Sequence, residues 1–394
     1  MSEQTNRTPE TEILQLPLFS SNTDDDNLKT APEYHQPPAP LKTLVYLLAI
    51  ASVKGIGFKT LGQMFDAGLL WDIWDLSPSE IVQACEPLLR NQTKDIIAIL
   101  VNDKNRLLEY GEKTAQDLQR RGITFTAIGD KSYPLALNRL QEPPRWLFIK
   151  GQQEILHSES IIALVGTRKP SPGGMILARR CAEELAIRNF VVLSGLARGI
   201  DENAHLGAVN FYGQSIAVLG QGLELEDTYQ NKALVSKLLD TNGAIVSEYL
   251  PGDPPSSDRF LRRNELVAAL AKVVIPVESP TLESGTGATI RRAIKINTRV
   301  LGITHTSTNS KTLAETKSSL ASIKIPVFTL GNGSEEFWNE LRNIYPNHGW
   351  DVGPQARQEL FFRQIIKQVV EVKEKISLDA AAIDRLTEKI KQIL

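Results

Sequence analysis

Between residues 160 and 331 the chain alternates short, unbroken apolar runs with stretches of helical spacing. The runs are IIALVG (161–166), FVVLSG (190–195), SIAVLG (215–220), AIVSE (244–248), KVVIPVE (272–278), RVLGI (299–303) and IPVFTLG (325–331). Continuous β-branched runs bounded by helices are strands covered on both faces. The pattern therefore predicts an α/β fold with a parallel sheet built from βαβ units and helices on both faces. Upstream, Leu44, Leu47, Leu48 and Ala51 share one helical face. Further helices are expected over 78–89 and 93–121, with short strands over 124–128 and 145–149. A loop and a surface helix should follow over 304–324. Residues 1–40 show no periodicity apart from one island, Gln15-Leu16-Pro17-Leu18-Phe19. The expected organisation is a disordered acidic tail (1–40), a small all-helical domain (41–122), an α/β domain (123–345) and a charged helical segment (346–394).

Charge and composition sharpen this picture. The chain of 394 residues carries a net charge of −2. Seven acids against Arg7 and Lys29 give residues 1–40 a net of −5, so the remainder stands at +3 and is mildly basic. No run of eighteen apolar residues occurs, so no spanning helix is expected, and the polar start MSEQTNRTPETE is unlike a secretory signal. A cytoplasmic location is the expectation. Cys85 and Cys181 stand far apart, which excludes a disulfide framework and a cysteine zinc site. Neither a metal nor a cofactor is called for.

Ligands of open α/β sheets sit beyond the carboxyl ends of the strands, so the residues after each run matter most. After the first run comes Gly166-Thr167-Arg168-Lys169, leading to a helix start near Gly174. Glycine, cations and helix N–H groups together suit an anion; the same residues would also serve as a tight turn. After the second run, Ser194-Gly195-Leu196-Ala197-Arg198-Gly199 suits phosphate, with Asp201 placed to cap the next helix. His205, one turn on, reads as a structural histidine. The fifth run leads to Ser284-Gly285-Thr286-Gly287, again before a helix, and ahead of that run lies Arg259-Phe260-Leu261-Arg262-Arg263-Asn264. Three arginines and an aromatic within six residues suit phosphate contact and base stacking, although taken alone the segment reads better as a solvated helix start. Gly220-Gln221-Gly222 is too short for a dinucleotide fingerprint, and no nucleophile–base pair, HExxH or Walker A sequence accompanies the turns.

The segments SGLARGIDENAH (194–205), AVLGQGLE (217–224), RFLRRN and ESGTGAT resemble the DprA/Smf family of DNA-processing proteins. So does the lead-in YPLALNRLQEPPRWLFIKG (133–151) followed by IIALVGTRKPSPGG, and the resemblance spans roughly residues 120–303. It implies an extended Rossmann-like sheet and a homodimer. It also implies single-stranded DNA binding without catalysis, which protects incoming DNA in natural transformation and loads the RecA recombinase. The implied phosphate pocket comprises Gly166, Thr167, Arg168, Ser194, Gly195, Arg198, Gly199, Arg263, Asn264, Ser284, Gly285 and Thr286. Three departures stand out. Glu265 replaces a family arginine, Thr286-Gly287 replaces Ser-Leu, and a further strand replaces the usual ending after Ile303.

A competing reading is a nucleotide-binding sensor, or an enzyme resembling phosphoribohydrolases on the same fold. No carboxylate follows Gly285-Thr286-Gly287, which weighs against hydrolysis. Val53-Lys54-Gly55-Ile56-Gly57 resembles a helix–hairpin–helix turn, although an ordinary helix–helix turn has the same composition. Gln15, Leu16, Leu18 and Phe19 resemble the short peptide by which replication and repair proteins dock on the bacterial sliding clamp.

Overall fold

The structure, a computed structural model, describes residues 37–89, 93–223, 231–305, 310–331 and 334–350. The peptide at 15–19 and the segment from 351 onward lie outside the described residues. Six helices come first: α1 (Pro40–Ala51), α2 (Phe58–Asp66), α3 (Leu69–Asp72), α4 (Pro78–Cys85), α5 (Thr93–Asn102) and α6 (Lys104–Arg120). Helix α1 starts on a proline and buries Leu44, Leu47 and Leu48. Gly55, at φ +100°, turns the chain from α1 toward α2. The single helix expected over 93–121 is two, separated at Asp103. The run Asn102-Asp103 competes for backbone groups there, and Lys104 Nζ anchors the corner to the carbonyls of Trp74 (3.1 Å) and Leu76 (2.7 Å).

The strands and helices that follow are β1 (Ile123–Ala127), β2 (Trp146–Gly151), β3 (Ile161–Val165), α7 (Pro172–Ile187), β4 (Val191–Ser194), α8 (Ile200–Asn210), β5 (Ser215–Val218), α9 (Lys232–Asp240), β6 (Ala244–Ser247), α10 (Ser257–Leu270), β7 (Val273–Pro276), α11 (Gly285–Lys295) and β8 (Arg299–Val300). They form an eight-stranded sheet in the order β1-β2-β6-β5-β4-β3-β7-β8. From β6 to β8 neighbouring strands are parallel, while β2 pairs antiparallel with both β1 and β6. The two-residue alternation of strand side chains divides the core. Ile161, Ala163 and Val165 of β3 join one cluster, which runs from Leu44 of α1 to Ile325, and Ile162 and Leu164 join the other. The six leading helices thus share a core with one face of the sheet.

The run at 299–303 is not one strand. Leu301 still donates to Val274, but Gly302 donates to Pro326, so the chain leaves the main sheet there. Strand β9 (Gly302–His305) pairs in parallel with β10 (Val327–Leu330) as a separate two-stranded sheet. Helices α12 (Lys311–Ser322) and α13 (Glu335–Ile344) accompany it. Beyond α13, His348 stacks on Phe190 with ring centroids 3.9 Å apart, and the Tyr345 hydroxyl donates to Ile161. No described helix is long and apolar enough to cross a membrane.

Candidate functional site

The turns singled out in the sequence meet beyond the ends of β3, β4 and β7, and a chain of hydrogen bonds ties them together. Thr167 N–H donates to Glu278 O at 3.0 Å, and Ile200 N–H donates to Thr167 O. Arg263 Nη1 donates to Gly195 O and to Val218 O (2.8 Å). Asn264, next in α10, donates to Gly285 O at 3.2 Å. All twelve residues of the expected pocket therefore belong to one region. They do not all face outward.

The first part of the turn at 194–199 is satisfied from within. Asp201 does not cap α8, whose N-cap is Gly199. Its buried carboxyl instead folds back and accepts from the N–H groups of Gly195 and Ala197. Leu196, held at φ +55°, donates its N–H to His205 Nε2 at 3.3 Å. That acceptance fixes the proton of His205 on Nδ1, which meets Ser215 Oγ at 2.7 Å. Burial, and then the charge of Arg263, push His205 down to about 3, so it is neutral. Ser194 is buried, its hydroxyl 2.6 Å from Leu164 O. Of the groups in this turn, the Ser194 hydroxyl and the N–H groups of Gly195, Leu196 and Ala197 are bonded inside the protein and do not face a ligand. Gly199, at φ +90°, lets the chain turn outward, and Arg198 beside it is exposed.

Arg263 is likewise internal. It is 5% exposed, and its guanidinium lies directly beneath Gly195, where any Cβ would overlap it. Burial lowers its pKa while Asp201 works against the shift. Burial also raises Asp201, more than Arg263 lowers it. The other arginines of the RFLRRN segment are engaged too. Arg259 pairs with Asp253 at 3.3 Å and lies over Tyr249. Arg262 pairs with Glu265 at 2.8 Å and with buried Glu248 at 3.3 Å. Glu265 also holds Arg292. A cluster that reads as nucleic-acid contacts in the sequence is, in the fold, the fastening of α10.

The N-terminus of α7 already has an anion. Ser171 caps the helix, and the Glu278 carboxyl accepts from Ser171 N–H (2.8 Å), Ser171 Oγ (2.6 Å) and Ser310 Oγ (3.1 Å). Glu278 is fully buried. The sequence carried a hint of this, since two of the apolar runs end in glutamate where four end in glycine.

Among the described residues, two features remain open. Arg168, exposed, lies over Phe260 at 4.8 Å from the ring centroid, with exposed Lys169 next to it. Neither Lys169 nor Arg198 has an ion-pair partner among the described residues. The second open feature is the N-terminus of α11. Ser284 caps Gly287 N–H at 3.0 Å, while the N–H groups of Gly285 and Thr286 precede any helical partner. Nothing lies within 4 Å of where a Cβ on Gly285 would stand.

The family model for DNA recombination-mediator protein A matches residues 124–323, half of the chain. The chain belongs to the DprA/Smf family. The Smf protein of Synechocystis is 31% identical over 264 residues, covering 66% of this chain and 64% of that protein. The Smf protein of Escherichia coli is 39% identical over 209 residues, 52% of this chain and 55% of its own length. DprA of Bacillus subtilis is 27% identical over 245 residues, 62% and 81%. The matches thus span less than two thirds of the Synechocystis and Escherichia coli proteins. Among solved structures, DNA processing protein A from Streptococcus pneumoniae aligns over 74% of this chain and 95% of its own, with a TM-score of 0.54 and 23% identity. That likeness shows the shared DprA/Smf fold, the Rossmann-like sheet with helices on both sides.

Proposed function

We propose that the chain binds single-stranded DNA along the carboxyl edge of its sheet and performs no chemistry there. The observation that carries this reading is the contrast between engaged and open cations. Arg259, Arg262 and Arg263 are engaged inside the fold, whereas Arg168, Lys169 and Arg198 are exposed, and the N–H groups of Gly285 and Thr286 are open at the start of α11. An exposed guanidinium over Phe260 offers a flat, charged surface to an unstacked base and its phosphate. The absence of chemistry is supported by what the acid and base candidates are doing. His205 has both ring nitrogens engaged, and Glu278 is held by two serine hydroxyls. A hydrolase needs such groups facing the ligand.

The proposal extends, on the family resemblance, to a homodimeric, cytoplasmic recombination mediator that protects incoming DNA and loads RecA. It also extends to docking on the sliding clamp through Gln15, Leu16, Leu18 and Phe19. The test is a poly-dT titration against salt. With three phosphate-neutralising cations per protomer, the log-affinity against log-salt slope should be about −2. Affinity then falls roughly twentyfold between 50 and 200 mM salt. A salt-independent affinity, or none, would overturn the reading.

A further inference from the structure

Helix α12 comes from a run rich in Thr, Ser and Lys, and its hydroxyls face the loop that joins β7 to α11. Thr316 and Ser319, three residues apart, share one side of the helix. Ser279 N–H donates to Thr316 Oγ1 at 2.8 Å, and the Thr316 hydroxyl donates in turn to Thr312 O at 2.7 Å. Ser319 Oγ donates to Pro280 O, also at 2.7 Å. Ser279 and Thr316 are each 1% exposed, so water does not replace this acceptor. A buried N–H left without a partner is costly, and the helix therefore fixes the loop at Ser279. From there the contacts run on to α11. The hydroxyls of Ser279 and Ser284 stand 3.2 Å apart, and Ser284 caps Gly287 N–H. The start of α12 reaches the other side of the edge. Its N-cap, Ser310, donates to Glu278 Oε1 at 3.1 Å. The same carboxyl holds Ser171, and Glu278 O accepts from Thr167 N–H, next to Arg168.

We propose that α12 braces the single-strand surface, with Thr316 and Ser319 as positioning residues. They hold the 278–284 loop, and with it the open N–H groups of Gly285 and Thr286, in register with Arg168 and Lys169. The inference rests on the single-stranded DNA reading and adds to it residues that touch no DNA. Thr316 accepts and donates at once, which a hydroxyl does and its isostere valine does not. An N–H bond to phosphate is directional, so a displaced loop loses it. An exposed cation instead attracts a polyanion across a Debye length of about 8–10 Å. Removing the brace therefore lowers affinity but leaves the number of cations meeting the strand, and so the salt slope, unchanged.

The experiment is a poly-dT titration of the full chain across salt concentrations, each variant at a temperature where its urea melt shows it folded. Thr316→Val should weaken binding about tenfold at every salt concentration, the worth of one hydrogen bond to a charged group, with the wild-type slope. Thr316→Ser, which keeps the hydroxyl, should bind as wild type does. Ser319→Ala should weaken binding about threefold, and it carries the test if Thr316→Val does not fold. Thr43→Val controls for lost stability alone. It removes a buried hydroxyl of α1 that donates to Pro38 O at 2.8 Å, and affinity should not change. Wild-type affinity in both Thr316→Val and Ser319→Ala, or an equal loss in Thr43→Val, would overturn the positioning role and leave the DNA reading standing. So would a Thr316→Val slope flattened by about 0.7, the mark of a lost cation contact. A wild-type chain that does not bind poly-dT overturns the DNA reading itself, and the positioning role with it.

Discussion

Replacing Arg263 by methionine separates a cation that holds the site together from one that meets a ligand. The change keeps most of the side-chain volume and removes the donors. Gly195 O and Val218 O lose their partner, Asn264 Oδ1 loses the Nε donor, and the buried Asp201 carboxyl loses its neighbouring cation. Breaking a buried, hydrogen-bonded charge arrangement by removing one partner costs about 3–5 kcal/mol. That is a large part of a total stability of roughly 5–15 kcal/mol. Arg198→Ala removes an exposed side chain and should change stability by less than about 0.5 kcal/mol. The DNA consequences should run the other way. Arg198→Ala should flatten the poly-dT salt slope by about 0.7, while Arg263→Met, measured at low temperature where it stays folded, should keep the wild-type slope. Urea unfolding and salt-dependent gel shifts on both variants read the two effects. Wild-type stability of Arg263→Met combined with a slope reduced by about 0.7 would refute the assignment of Arg263 to the interior.

Three further outcomes are expected. His205, neutral at about 3 in the folded chain against about 6.5 unfolded, binds fewer protons folded than unfolded, so its contribution falls as pH drops below the unfolded value. Between pH 7 and 5 that loss is about 2 kcal/mol, so the urea-melt difference between wild type and His205→Gln should shrink by that amount; an unchanged difference would show that His205 takes up its proton over this range in the folded chain as it does unfolded. Gly195→Ala places a methyl where the Arg263 guanidinium lies and should cost about 1–3 kcal/mol. Its effect should be less than additive with Arg263→Met, and strict additivity would mean that the two do not share that space. In a pull-down of the host's sliding clamp, replacing Leu18 and Phe19 together by Ala should weaken binding roughly a hundredfold, at about 1.5 kcal/mol or more per lost apolar anchor. Equal capture of wild type and variant would remove the clamp from the partners.

The parallel sheet was legible because strands buried on both faces leave unbroken β-branched runs, and five of the seven runs lie in it as expected. The run at 299–303 misled because nothing in its composition distinguishes a strand from a corner. Leu301 keeps its bond to Val274 and Gly302 transfers to Pro326, a choice made by where α12 and β10 pack. At the site, positions were legible and orientations were not. Ser194, Asp201 and Arg263 lie at the strand-end edge that the sequence points to, but a segment rich in polar groups looks the same whether those groups serve a ligand or one another. What decides is burial. The helix break at Asp103 had a local signal in Asn102-Asp103, outweighed by the strong helical periodicity on either side.

Glu265 shows how the accounting of charge bears on function. Against the family pattern it reads as a lost DNA-binding cation, and a weakened site would follow. In the fold it lies between Arg262 and Arg292 and holds both. An arginine at 265 would face those two cations, and like charges at that range repel. The anion at this position therefore belongs with arginines on α10 and α11, and the loss of a cation from the interface cannot be judged from residue 265 alone. The same logic runs along the whole edge. Glu278 fills the N-terminus of α7, Asp201 and His205 fill the 194–199 turn, and Glu265 fastens α10 to α11. Each internal partner removes one place where a phosphate could bind and makes the remaining surface more rigid. Among the described residues the groups left open along this edge are Arg168 on Phe260, Lys169, Arg198 and the first turn of α11. On the proposed reading, a surface of that kind would hold a flexible polyanion at several separated points, as a single strand requires.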